Sequence, residues 1–398
     1  MTTRRKRARN LLLAALPLAA LLAVLTVAGS SCGASTFGKG IEQQLTATVE
    51  KIMKDNGVPG AIVGVWEKGK AYTRAFGKAD VEKGTAMKVT DLFRAASITK
   101  TFTAIVMLQL AQEDKLGLDD KLGEFEFAKG LPNADKVTLR MLLNHTSGYS
   151  DLENNDPAFQ AEMAANPEKQ WTHEEILKWG ATLPVLSPPG EQYHYSNWGY
   201  YLLGLVMEKV TGNTAAEEIQ GRCADKVGLE TTRLEDGPEF LTSKPHSAGY
   251  AAPGIPMVPA TPPEGQQFFD ATEWNTSAGW TAASIVTDLD DLRKWIEADA
   301  NGSLLNKQMQ TEQLRTIQTD GGLLYGLGLA GTPTNKGDLL LHNGAVPGYS
   351  ALAASTPDNS VTIVVFMNAM PTTTVNTNVA TDTALALFQV LGGKSATQ

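Results

Sequence analysis

The strand-forming segments of this chain sit at its two ends, and that placement limits the folds open to it. Ala61 to Trp66 and Ala71 to Phe76 are strand-like runs joined by Lys68-Gly69, which reads as a hairpin. Strand character then returns only late, at Leu323–Leu329, Asp338–Asn343, Tyr349–Thr356 and Ser360–Asn368. Pro357-Asp358-Asn359 is the turn joining the last two. Between Thr138 and about residue 320 the pattern is mostly helical. Helical spacing also flanks the strands, in Ile41–Lys54 (Ile41, Leu45, Val49, Ile52, closed by Asn56-Gly57) and in Asn378–Leu391. The economical packing is a two-lobe α+β/α architecture. One antiparallel sheet of about five strands is assembled from both chain ends and flanked by the terminal helices, with an all-helical lobe inserted. Residues 38–96 plus 321–392 make the sheet lobe and 97–320 the helical lobe, together one domain.

Ile98 to Gln112 is apolar on most sides (Phe102, Ile105, Val106, Met107, Leu108, Leu110), the mark of a buried helix. It is expected at the seam between the lobes, where clefts form. Thr172 with Glu175, and Thr287 with Asp290, read as capping pairs that open helices. Seven prolines between Pro238 and Pro263 predict a long irregular loop. No repeat of 20–50 residues is present, which argues against a solenoid.

The N-terminus reads as a leader. Arg4, Arg5, Lys6, Arg7 and Arg9 precede the apolar run Leu11–Ala28, and no acid occurs in residues 1–31. That is the pattern of a secretory signal peptide; Pro17 and the small residues Gly29-Ser30-Ser31 favour cleavage over a retained anchor. Cys32 is then a candidate lipid-acceptor cysteine, giving an exported protein attached to the outer face of the membrane or released. Cys223, the other of two cysteines, reads as a small buried residue. The whole chain carries −9, and the body is more acidic once the basic leader is set aside. Such a surface repels phosphates, so nucleic acid is excluded as a partner.

Ser97-Ile98-Thr99-Lys100 opens the seam helix, and residues three apart on a helix share a face, so the Lys100 amine can reach the Ser97 hydroxyl. Serine needs an adjacent proton acceptor to act as a nucleophile, and a desolvated lysine beside a helix N-terminus can be one. Alone the motif means little: roughly one Ser-x-x-Lys arises by chance in a chain this long. Two further motifs give it weight. Tyr195-Ser196-Asn197 is the only Tyr-x-Asn and precedes the apolar helix Tyr200–Val210. His342-Asn343-Gly344 is the only His-x-Gly and ends an expected strand, where Gly344 would let a substrate backbone approach.

Ser-x-x-Lys, Tyr-x-Asn and His-x-Gly in this order resemble the serine penicillin-recognising enzymes, which include low-molecular-mass DD-peptidases and class C β-lactamases. The likeness is nearest to secreted DD-carboxypeptidases and covers Ile41 to Leu391. Phe93-Arg94-Ala95-Ala96-Ser97-Ile98-Thr99-Lys100 is similar to that family's nucleophile segment. Leu142-Leu143-Asn144-His145-Thr146-Ser147-Gly148 resembles its LLxHTSG stretch, and Ser277-Ala278-Gly279 with Thr287-Asp288-Leu289 its SAG block. The resemblance implies a β-lactamase/transpeptidase-like fold. It also implies that Ser97 is acylated while Lys100 and Tyr195 relay its proton, and that Asn197 bonds the substrate amide. His342 stands in for a more usual lysine, the N–H groups of Ser97 and Ala345 hold the oxyanion, and Trp274 lines the cleft.

The departures are as informative. Those carboxypeptidases carry a carboxylate-binding arginine a dozen residues before the His-x-Gly; here the position is Ala330, and no arginine follows Arg315. Threonines beside the motif glycine are replaced by Asn343 and Ala345. Lys336 or His342 are the residues left to compensate. The expected activity is a D-alanyl-D-alanine carboxypeptidase-type peptidase on peptidoglycan-like peptides. The alternatives are an esterase or β-lactamase on the same scaffold, or a surface binding protein whose centre has lapsed. His145 reads as structural, His173 and His246 lie in polar segments, and His194 adjoins Tyr195. The histidines and cysteines show no metal-ligand spacing and no phosphate loop follows a strand, so no metal or cofactor is implied.

Overall fold

A computed structural model describes residues 35–395 apart from 236, 320–321 and 371–377. The leader and Cys32 lie outside the described residues. Five long strands form the middle of the main sheet: β1 (Gly60–Glu67), β2 (Lys70–Asp80), β3 (Leu339–Val346), β4 (Tyr349–Ser355) and β5 (Val361–Met367). They lie in the order β2-β1-β5-β4-β3, each neighbour antiparallel. The two ends of the chain meet where β1 pairs with β5, Ala61 opposite Met367 and Glu67 opposite Val361. Lys68 (φ 48°) and Gly69 (φ 79°) both adopt the left-handed conformation that a two-residue hairpin loop demands.

The sheet has ten strands rather than about five. Two- and three-residue strands extend the β3 edge at Ala330–Thr332, Leu324–Tyr325 and Ile317–Gln318, and others flank β2. The run 323–329 expected as one strand is interrupted, because Gly328 (φ 81°) turns the chain back on itself. Between Thr138 and residue 319 the helices are shorter and the irregular stretches longer than the pattern implied; Thr172 and Glu175 do close a capping box on His173–Gly180. The second cap is displaced: Asp288, not Thr287, accepts from the Asp291 N–H, since Thr287 ends a strand and its hydroxyl bonds that of Thr232.

Side chains alternate across β1. Ala61, Val63 and Val65 face α1 (Lys39–Asn56) and the last helix, Val379–Val390, sharing a core with Leu45, Val49, Leu387 and Phe388. Ile62 and Trp66 face the opposite core, with Phe366 and the seam helix α2 (Thr99–Gln112). A sheet apolar on both faces is covered on both. Eleven of the fourteen residues of α2 are buried. Phe102 stacks on Trp295 with ring centroids 3.7 Å apart, and Cys223 is buried against the same turn, with Sγ 3.8 Å from Phe102 O. Phe93 stacks on Phe366 at 4.7 Å, tying the segment that leads into Ser97 to the centre of the sheet.

One buried acid in this frame has a testable cost. Asp299, 1 % exposed, accepts from Gln313 Nε2 at 2.7 Å through one oxygen, while the other has no protein partner. Burial pushes its pKa up to about 7. The folded chain therefore holds a proton that the unfolded chain has released above pH 4, and stability falls as pH rises from about 4 to 7. Asp299→Asn is expected to raise stability at pH 8 by roughly 1–3 kcal/mol and to change it little at pH 4, as read from urea midpoints. An equal gain at both pH values would contradict this.

Candidate active site

Ser97 does not begin the α-helix; it is the middle of a single 3-10 turn, Ala96–Ile98, that leads into α2. Ala96 before it has φ 51°, a left-handed conformation that is costly for a residue with a Cβ. Lys100 follows in the first turn of α2 and is fully buried. Its Nζ lies 3.1 Å from Ser97 Oγ, 2.5 Å from Asn197 Oδ1 and 3.0 Å from Ala282 O. Tyr195 reaches in from the helical lobe, just before α3 (Asn197–Thr211), and its hydroxyl donates to Ser97 Oγ at 2.8 Å. Lys100 Nζ also sits 4.7 Å from the centre of the Tyr195 ring.

Asn197 Oδ1 and Ala282 O can only accept, so two N–H bonds of Lys100 go to them. The third position of Nζ faces Ser97 Oγ, to which an ammonium donates and from which only the neutral amine can accept the serine proton. Burial drives Lys100 toward the neutral form, down to about 7, against the pull of Asp151 and Glu153. Tyr195 is pushed the other way by burial, well above the ordinary phenol, and stays protonated.

The two acids were not singled out from the sequence. Both are buried; Asn197 Nδ2 donates to Asp151 Oδ2 at 3.2 Å and to Glu153 Oε2 at 2.9 Å. Burial raises Asp151 to about 6, and burial with the Asp151 charge raises Glu153 to about 7. The signal lay in Asp151-Leu152-Glu153, directly after the LLxHTSG-like stretch, although acids are ordinary in a polar loop. Asn197 is thus clamped between Lys100 and two carboxyls, and both ends of its amide are engaged within the protein.

Across the cleft, β3 packs on the nucleophile turn at Gly344. A Cβ there would meet Ala95 O at 2.3 Å, Ala96 Cβ at 2.9 Å and Ser97 N at 2.9 Å. The glycine is required for the approach of the Ser97 turn, and it also lines the open cleft. Ser97, Tyr195, Asn197, Asn343, Gly344 and Ala345 line one solvent-open cleft with Glu153. Trp274 lines a small adjoining pocket of about 40 Å³ with Met163, Met257, Pro347, Arg94 and Glu153.

A family model described as Beta-lactamase matches residues 45–388. The chain belongs to the beta-lactamase family. Protein flp of Staphylococcus aureus (strain MW2) is 25 % identical over 335 residues, 82 % of this chain and 63 % of flp. A penicillin-binding protein of Bacillus subtilis (strain 168) is 27 % identical over 308 residues, 75 % of this chain and 65 % of its own. The chain spans less than two thirds of the length of either curated relative. Among solved structures, a D-stereospecific amidohydrolase from Streptomyces sp. superposes with a TM-score of 0.71 and 29 % identity, over 83 % of this chain and 93 % of that one. The two-lobe β-lactamase/transpeptidase-like fold and the kinship with serine penicillin-recognising enzymes follow.

Within this family frame, two expectations about charge fail. Lys336 cannot serve the cleft, because its Nζ pairs with Glu67 at 2.7 Å. His342 is 3 % exposed, and its ring nitrogens bond Tyr325 Oη and Asn343 O. Burial, with Lys100 nearby, pushes it down to about 3, so it is a neutral imidazole. Ala330 is buried in its short strand. No arginine or lysine lines the cleft among the described residues; Glu153 is its one charged side chain. The described residues hold no metal-ligating group of three, and none of their helices is long and apolar enough to cross a membrane.

Proposed function

We propose that this chain is an exported serine hydrolase that forms an acyl-enzyme through Ser97 and cleaves the amide bond of D-aminoacyl substrates carrying a free amino group. The reaction class rests on one observation, the convergence of Lys100 Nζ and Tyr195 Oη on Ser97 Oγ. Neutral Lys100 takes the Ser97 proton as Oγ attacks the carbonyl carbon. The N–H groups of Ser97 and Ala345 receive the oxyanion, a role the contact of Gly344 with the Ser97 turn supports. Tyr195 gives its proton to the leaving nitrogen and regains one from Lys100. Water then attacks the ester, and the same groups run in reverse. Export is supported by the basic and apolar leader ahead of Cys32, the candidate lipid site.

The substrate class rests on charge. The cleft lining holds no arginine or lysine for a substrate carboxylate, whereas a substrate ammonium would meet Glu153, whose pKa burial and the Asp151 charge raise to about 7 and whose charged form an adjacent cation would favour. The name of the D-stereospecific Streptomyces amidohydrolase supports hydrolysis of an amide in a D-configured substrate. A second reading, the D-alanyl-D-alanine carboxypeptidase, draws on the motif order and the penicillin-binding relative, and requires neutral donors such as Asn343 to hold the carboxylate.

Turnover of D-alanine p-nitroanilide, its N-acetyl derivative, diacetyl-Lys-D-Ala-D-Ala, a chromogenic cephalosporin and a short acyl ester would separate the readings. The free-amine anilide is expected to be cleaved fastest, with no turnover by Ser97→Ala. Glu153→Gln is expected to raise KM for it by about tenfold and to leave that of the N-acetyl derivative unchanged. Faster release of D-Ala from the peptide would instead establish the carboxypeptidase, and faster cleavage of the cephalosporin or ester would establish a β-lactamase or esterase. An inert Ser97 in a folded protein would leave only a binding role.

A further inference from the structure

His145, Tyr325 and His342 come from the two lobes and meet behind the cleft, with a polarity fixed by the groups at each end. His145 Nδ1 lies 3.1 Å from the backbone N of Ser196. A backbone N–H only donates, so Nδ1 is the bare nitrogen and the His145 proton is on Nε2, which faces Tyr325 Oη at 3.3 Å. At the far end, His342 Nδ1 lies 2.6 Å from Asn343 O. A carbonyl only accepts, so Nδ1 carries the proton and Nε2 is bare, 3.1 Å from the same Tyr325 Oη. One phenol therefore accepts from His145 and donates to His342. Neighbouring Tyr200 does not supply that donor, since its own hydroxyl donates to Leu143 O at 2.6 Å.

We propose that Tyr325 is a positioning residue that links the Tyr195-Ser196-Asn197 loop to the His342-Asn343-Gly344 strand, through a one-way chain of hydrogen bonds that needs two neutral imidazoles in opposite tautomers. The chain holds the peptide before Gly344 by its carbonyl, two residues from the Ala345 N–H and against the Ser97 turn. It also holds the loop from which the Tyr195 hydroxyl reaches Ser97. A lysine at 342 has no lone pair to accept from Tyr325 when charged, so the His-x-Gly form and Tyr325 belong together. His145 sits at φ 62° directly after the helix Leu139–Leu143, which aims its ring at Tyr325. None of the three rings need touch the substrate.

Nitrogen-15 NMR of the imidazoles in the unaltered protein at pH 7 tests the chain directly. His145 is expected as the Nε2–H form and His342 as the Nδ1–H form; either ring found cationic or in the other tautomer would overturn the proposal. Tyr325→Phe supplies the functional arm, read by the rate of Ser97 labelling with a fluorophosphonate. The maximal labelling rate is expected to fall roughly tenfold with the half-saturating concentration unchanged, and the His342 nitrogen signals to shift toward a mixture of tautomers. An unchanged rate, or loss confined to probe affinity, would overturn it as well. If Ser97 of the unaltered protein were not labelled at all, the acyl-enzyme reading would fall, and the NMR result would still decide this one.

Discussion

Lys100→Met is expected to slow acylation of Ser97 by a factor of roughly 10²–10⁴, the range for losing a general base. The amine is buried and pulled down to about 7 by that burial, so its neutral, proton-accepting form dominates above neutrality. Acylation by the unaltered protein should therefore rise with pH through the neutral range and level off near pH 8. Asp151 and Glu153 titrate in the same region, so the inflection belongs to the three groups together. The variant should lose the inflection along with the rate. Stability carries the same signature: between about pH 7 and the ordinary lysine range the unfolded chain binds a proton the folded chain does not, so stability rises with pH there. Labelling rates of both proteins from pH 5 to 9 would check this, and a variant that kept the wild-type inflection would remove Lys100 as the base.

Gly344→Ala should be nearly as damaging without touching a side chain that reacts. Its methyl group would lie 2.3 Å from Ala95 O and 2.9 Å from Ser97 N. Both are backbone, so no rotamer change can make room, and β3 must withdraw from the nucleophile turn. The expected cost is about 1–3 kcal/mol of stability. Separating Ala345 N–H from Ser97 N–H is expected to lower the acylation rate by about 10²–10³, as loss of an oxyanion donor does. Urea denaturation and labelling rate measured together would show whether the losses occur at once. A variant of normal stability with an unimpaired rate would mean that the strand and the turn do not act as one unit.

The parts of this site legible in the sequence are those tied to short-range spacing. Ser97 and Lys100 lie one turn apart, and the helix after Tyr195 begins where the apolar pattern begins. The hairpin at Lys68-Gly69 and the two-ended sheet are local patterns too. What spacing hides is burial. Asp151 and Glu153 look like acids of a solvated loop until the fold closes over them, and nothing in the spacing shows that both bond the Asn197 amide. Tyr325 carries no motif at all; it lies in a two-residue strand and gains meaning only where residues 145 and 342 come together. Lys336 and His342 illustrate the converse, since their charge suited the cleft on paper while Glu67 and burial dispose of it. Edge strands of two or three residues were missed because they carry too few alternations to show a period.

The pairing of β1 with β5 also sets when reactivity begins. During synthesis the chain presents Ser97, Lys100 and Tyr195 long before β3 exists, and nothing in the first two thirds of the sequence can stand in for the strand that faces them. The sheet closes only when a late segment finds a partner made much earlier, a contact spanning about 300 residues between Ala61 and Met367 and between Glu67 and Val361. Such contacts form late and slowly. A chain that stops before β3 lacks the strand against which the Ser97 turn packs, and is expected to leave Ser97 unlabelled by the same probe.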